Sequence, residues 1–165
     1  DKSDKLILPG VGAFDSAINL LNNSNYIFEI QKQIFEKKKY ILGICVGMQI
    51  FGSDSTEGKK LGLNWIEGDV KKINSNNQNL RLPHMGWNSI KLTNNSSNIK
   101  PIETDYYFVH SYYFDCENKE NILAETNYGI NFPSIVCKEN IYGLQFHPEK
   151  SSNQGLDLIK SFLKL

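Results

Sequence analysis

The apolar positions of this chain fall into short runs with two different periods. Lys5-Leu6-Ile7-Leu8-Pro9 and Tyr40-Ile41-Leu42-Gly43-Ile44 are almost unbroken apolar stretches of strand length, and the second reads as a buried strand. Between them, Ile27, Ile30, Ile34 and Phe35 recur at helical spacing and predict a helix over about Tyr26 to Lys38, with Lys37 to Lys39 suiting the negative end of its dipole. An earlier helix, through Asn22, has Asp15 as its expected cap. A further helix is expected to begin at Val46 and to bury Met48, Ile50 and Phe51. Strand, helix, strand, helix predicts an α/β fold with parallel strands.

From Gly52 the texture changes. Ser53 to Gly62 reads as a polar loop, and β-like pieces follow at Asn64–Ile66, Asp69–Ile73, Arg81–Leu82 and Asn88–Leu92. The asparagine- and serine-rich stretches Asn74–Asn79 and Asn94–Asn98 read as exposed turns. Asp105 to Phe114 is the most β-prone segment, and Ile122–Thr126, Ser134–Cys137 and Ile141–Phe146 add strands. A last helix opens at Asn153 or Gln154, with Leu156, Ile159, Phe162 and Leu163 as its expected core stripe.

Composition narrows the function classes. The 165 residues carry 18 basic and 18 acidic side chains, so no net field draws the chain to nucleic acid or to an anionic membrane. No run approaches the roughly 20 apolar residues of a membrane span. Three cysteines without paired spacing suit a reducing compartment, and the cytoplasm is the expected location.

The candidate chemistry centres on Gly43-Ile44-Cys45-Val46-Gly47. Glycines two residues to either side of a nucleophile are the pattern of a strand-to-helix elbow, where backbones approach too closely for Cβ atoms. At such an elbow the helix N-terminus is expected to favour the Cys45 thiolate, and the Val46 N–H to face a developing oxyanion. The plainer alternative is a buried structural cysteine between packing glycines. Gly10-Val11-Gly12 ends the first strand in a loop able to turn N–H groups toward a ligand; it does not fit G-x-G-x-x-G. His147-Pro148-Glu149 keeps the backbone extended, so Glu149 can orient the His147 ring as a base; the alternative is a structural hydrogen bond at a strand end.

Taken with Pro83-His84-Met85-Gly86-Trp87-Asn88, His110-Ser111-Tyr112-Tyr113 and Gln145-Phe146-His147-Pro148-Glu149-Lys150-Ser151, these segments resemble, in order, the class I glutamine amidotransferases. They resemble in particular the glutaminase subunit of imidazole glycerol phosphate synthase. The resemblance implies a three-layer, flavodoxin-like α/β fold with a mostly parallel central sheet and an added antiparallel β region. It implies catalysis by Cys45, His147 and Glu149 without cofactor or metal. Glutamine would be held by Gln49, Ser111 and Tyr112, and the oxyanion by Gly10-Val11-Gly12 and Val46. His84, Met85, Trp87, Asn88 and Lys150 would face a (β/α)8 cyclase subunit that receives the ammonia.

Two departures accompany the resemblance. The family begins with a further strand and helix, so the chain is expected to be a single domain over 1–165 that starts after that unit. Gly62-Leu63-Asn64-Trp65-Ile66-Glu67 looks more like paralogues that feed a sugar amidotransferase acting on nucleotide-activated surface sugars. Two other readings follow: the same chemistry with that acceptor, or a non-catalytic interaction subunit.

Overall fold

Strands β1 (Lys5–Gly10) and β2 (Tyr40–Cys45) run parallel, in a register that sets Leu8 opposite Gly43 and Gly10 opposite Cys45. This computed structural model describes residues 3–74, 80–93 and 98–165. On its other side β2 pairs in parallel with β11 (Ile141–Leu144). The sheet then turns antiparallel through β10 (Asn131–Lys138), β9 (Ile122–Asn127) and the short β6 (Lys91–Leu92), giving six strands in the order β1-β2-β11-β10-β9-β6. The sheet is therefore mixed: its parallel part carries the elbow, and its antiparallel part supports the aromatic core. Ile41, Leu42, Val136 and Leu144 are buried within it, as the continuous apolar runs require.

Two smaller sheets complete the β structure. β3 (Asp54–Ser55), β4 (Gly68–Lys72) and β8 (Tyr112–Cys116) form one; β5 (His84–Ser89) and β7 (Asp105–His110) form the other. The segment expected as one strand, Asp105 to Phe114, is thus broken at Ser111 and shared between two sheets. The break matters because it turns His110, Ser111 and Tyr112 into a corner above the elbow. Asn64–Ile66 and Arg81–Leu82 are not strands. Most of the two asparagine-rich turns, residues 75–79 and 94–97, lies outside the described residues.

The helices depart from expectation in instructive ways. Asp15 does not cap α1 (Phe14–Asn23); the cap position is Ala13, without a side-chain bond. Asp15 instead accepts hydrogen bonds from the Lys59 and Lys60 amides, which hold its carboxyl below the usual range. That contact pins the loop carrying Glu57. The predicted helix from Tyr26 is α2 (Ile27–Gln31), continued by a wider π turn over Lys32–Glu36, which buries Ile34 and leaves Phe35 partly exposed with its edge toward Trp65. The last helix, α4 (Ser152–Leu163), buries Gly155, Leu158 and Phe162, while Leu156 and Leu163 are 46% and 50% exposed. The reason is Gly155. A Cβ there would overlap the Pro148 carbonyl, so the glycine lets the helix seat directly on the His147 turn and rotates its buried face away from the expected stripe.

Candidate active site

Three glycines make the elbow possible. Gly10, Gly43 and Gly47 come from β1, β2 and α3 (Val46–Gln49), and their backbones meet. A Cβ on Gly10 would strike the Gly47 amide, one on Gly43 the Gly47 carbonyl, and one on Gly47 the Leu8 carbonyl. The turn drives Cys45 to φ 55°, ψ −114°, a strained conformation for a side chain other than glycine. Its sulfur is thereby lifted to the floor of a cleft of about 200 Å³, lined by Val11, Gly12, Gln49, Glu57 and His147 and roofed by the 109–112 corner.

The thiolate that the helix N-terminus is expected to favour is opposed by burial. Burial pushes the Cys45 thiol up to about 11; the Val46 N–H acts against this, and the charges of Glu149 and Glu57 add to it. The helix behind the sulfur is a single turn, too short for its dipole to outweigh desolvation. Cys45 therefore rests as a neutral thiol and needs a base. A raised thiol has a test: iodoacetamide labelling of Cys45, followed by mass spectrometry, is expected to rise about tenfold per pH unit between about pH 7 and 9. A plateau near neutrality would instead reveal a thiolate stored at rest.

A candidate base is at hand. His147 lies buried in the same cleft, its Nδ1 2.8 Å from Glu149 Oε1, while Nε2 has no hydrogen-bond partner among the described residues. The carboxylate fixes the proton on Nδ1 and leaves Nε2 as the bare nitrogen. The ring is held by its turn. His147 N–H donates to the Tyr107 carbonyl, and the Ser151 hydroxyl donates to the His147 carbonyl while accepting the Tyr107 N–H. Ser151, the last residue of the Gln145–Ser151 segment, and Gly155, which no pattern in the sequence singles out, thus position this turn.

Gln49, one turn beyond Cys45, is buried, and its side-chain N–H groups go to the Tyr112 carbonyl at 2.8 Å and to Gln145 Oε1 at 3.1 Å. Its own oxygen is left as an acceptor facing the cleft. Gln145 also reaches the Cys45 sulfur, at 3.9 Å. Glu57, absent from the sequence expectations, lines the same cleft and accepts the Phe14 N–H at 2.8 Å through one oxygen, tying its loop to the Gly12 turn. Its only signal in the sequence is an acidic residue twelve positions after Cys45, inside the stretch read as a polar loop. Gly12 has φ +101° with open space around its Cα, and Val11 beside it is 83% exposed. Gly10 is different: packing against Gly47, not conformational freedom, demands it.

The outward residues divide. Met85 and Trp87 alternate on the exposed side of β5 at 61% and 51%, and Lys150 lies over the Tyr107 ring at 5.9 Å. His84, expected on that outward face, is buried beneath it, because the pleat of β5 sends alternate side chains inward. Asn88 is half-buried and joins His84. Among the described residues no group of three or more His, Cys, Asp or Glu is placed to hold a metal ion, and no helix is long and apolar enough to cross a membrane.

The glutamine amidotransferase class-I family matches residues 2–165 of this sequence. The chain belongs to that family. It is 47% identical over 166 residues to imidazole glycerol phosphate synthase subunit HisH of Leptospira borgpetersenii, covering 98% of this chain and 81% of that protein. The HisH subunit of Bdellovibrio bacteriovorus is 45% identical with the same coverage of both chains. At this identity and coverage the amidotransferase groups with the HisH subunits. Among solved structures, PurLQS from Thermotoga maritima superposes with a TM-score of 0.71 at 21% identity, covering 99% of this chain and 82% of that one, a likeness of fold.

Proposed function

We infer that this chain hydrolyses glutamine to glutamate and ammonia and supplies the ammonia for imidazole glycerol phosphate synthesis in histidine biosynthesis. The observation that carries the reading is the convergence, in one cleft, of a buried thiol on a strained elbow, a carboxylate-oriented imidazole with a bare nitrogen, and acceptors beyond them.

Those acceptors set the orientation of the substrate. Gln49 Oε1 and the remaining oxygen of Glu57 both accept, so they meet the α-ammonium of glutamine and leave its side-chain amide over Cys45. The thiol proton passes to His147 Nε2 as sulfur bonds to the amide carbon. The negative oxygen faces the Val46 N–H and an N–H of the Gly10-Val11-Gly12 loop. Collapse breaks the C–N bond, and the His147 proton leaves with the nitrogen as ammonia. Water, deprotonated by His147, then opens the thioester to glutamate. Glu149 stabilises the imidazolium in each half-reaction.

Release of the ammonia calls for an acceptor subunit, and the HisH relatives are named as subunits of a synthase. Val11, Met85, Trp87 and Lys150 present the exposed apolar and basic surface near the cleft for a (β/α)8 cyclase subunit. The freedom at Gly12 offers a route by which docking presents the loop N–H. Loss of one oxyanion donor removes about 10²–10³ in rate, so glutamine hydrolysis is expected to rise by about that factor on adding the cyclase subunit with its nucleotide ligand. A reactive Cys45 without stimulation would transfer the chemistry to a sugar amidotransferase partner. The HisH relatives do not favour that acceptor, nor a non-catalytic subunit.

A further inference from the structure

Beneath the exposed side of β5 two buried histidines meet outside the Cys45–His147 pair. His84 Nδ1 is 3.0 Å from His110 Nε2, across the register position where β5 and β7 pair these residues directly. His110 Nδ1 lies 2.8 Å from the Tyr112 carbonyl, and His84 Nε2 lies 3.1 Å from Asn88 Nδ2. His84 is sandwiched between the rings of Phe108 and Tyr128, with centroids 4.9 and 4.0 Å away.

The partners dictate where every proton sits. A carbonyl can only accept, so His110 carries its proton on Nδ1 and its Nε2 is bare. His84 must then donate from Nδ1, which leaves its own Nε2 to accept from the Asn88 amide. The Asn88 orientation agrees, since its nitrogen also donates to the Asn127 carbonyl and its oxygen accepts the Ser89 N–H. The chain of bonds is complete with both rings neutral and would leave two donors or two acceptors in opposition in the other tautomer. Burial accords with neutral rings: it pushes His84 down to about 4 and His110 to about 3, His110 feeling His84 and His147 as well. At its inner end the Tyr112 carbonyl accepts both the His110 proton and the Gln49 side chain.

We propose that His84 and His110 are positioning residues for glutamine: a tautomer-ordered relay that fixes the Tyr112 carbonyl on which Gln49 hangs, and connects it to the surface strand β5 through Asn88. The role rests on the reading of Gln49 as a substrate contact. It goes further by giving the exposed β5 face a bonded path to the substrate end of the cleft, separate from the oxyanion loop.

Two measurements test it. Long-range ¹⁵N–¹H spectra of the histidine rings are expected to show His84 and His110 both as neutral Nδ1–H tautomers; an Nε2–H tautomer at either overturns the relay whatever the activity. Kinetics of the complex with its synthase partner test the role. His84→Leu removes the donor at similar volume and strands His110 Nε2. It is expected to raise the glutamine KM about tenfold, with kcat and ammonia-dependent synthesis within about threefold. His84→Asn keeps an N–H at the Nδ1 position and should restore KM to within about threefold of the parent. An unchanged KM in the leucine variant, or equal impairment in both, overturns the positioning role. If the unaltered chain fails to turn over glutamine, the functional reading falls instead, and with it the role, while the spectra still decide the relay. Should the leucine variant fail to fold, the asparagine variant decides the role: a tenfold KM defect there overturns it.

Discussion

Replacement of Cys45 by alanine is expected to lower glutamine-dependent turnover by about 10⁴-fold or more, while synthesis from added ammonium salts by the partnered complex continues at the parental rate. The large factor follows from covalent chemistry: without the sulfur there is no thioester, and His147 has no thiol proton to take. The fold should tolerate the change, because Cys45 contributes one weak sulfur contact each to the Val109 carbonyl and to Gln145. Ammonia-dependent synthesis reports docking and folding, so the pair of assays separates a lost nucleophile from a lost structure. Glutamine turnover surviving in the alanine variant would remove Cys45 from the mechanism.

Gly47→Ala is the second large effect, and it reaches both stability and activity. The added Cβ would fall on the Leu8 carbonyl, which is backbone in the middle of a parallel pair and cannot swing aside like a flexible side chain. Relief requires β1 and α3 to separate, and α3 begins at the residue after Cys45. Overpacking of this kind costs about 1–3 kcal/mol, and displacing the elbow by even a fraction of an ångström misaligns the sulfur with His147. Denaturant unfolding should show an earlier midpoint, and glutamine turnover should fall by about 10²-fold or more. Parental stability together with parental turnover would mean that the close glycine contact does not shape the elbow.

Much of the site could be read along the chain. The elbow and the Gly10-Val11-Gly12 loop are local: strained or crowded backbone demands glycine at fixed offsets, and the offset survives in one dimension. The pairing of His147 with Glu149 was legible too, but not its geometry: the backbone expected to stay extended at Pro148 instead closes into a 3-10 turn over Pro148–Lys150, which brings Glu149 to His147 Nδ1. The strand at Tyr40–Ile44 was equally plain, since burial on both faces leaves an unbroken apolar run; Lys5–Pro9 carries a similar run although β1 is an edge strand with Ile7 43% exposed. The broken strand at Ser111 was not, because Asp105 to Phe114 is β-prone throughout and only pairing with β5 and β4 shows that it serves two sheets.

Tertiary structure alone decided several further matters. It placed Glu57 in the cleft, where Asp15, forty-two positions earlier in the chain, pins its loop by the neighbouring Lys59 and Lys60 amides. It turned α4 onto the Gly155 face, buried His84 rather than exposing it, and kept the Cys45 thiol protonated. Each of these is a question of what lies on the far side of a residue: a carbonyl under Gly155, aromatic rings around His84, low-dielectric surroundings about Cys45. The sequence by itself determined the family, the elbow and the pairing of His147 with Glu149, because backbone strain and short offsets are local properties. Facing, burial and protonation state came only with the fold, because they depend on neighbours distant in sequence.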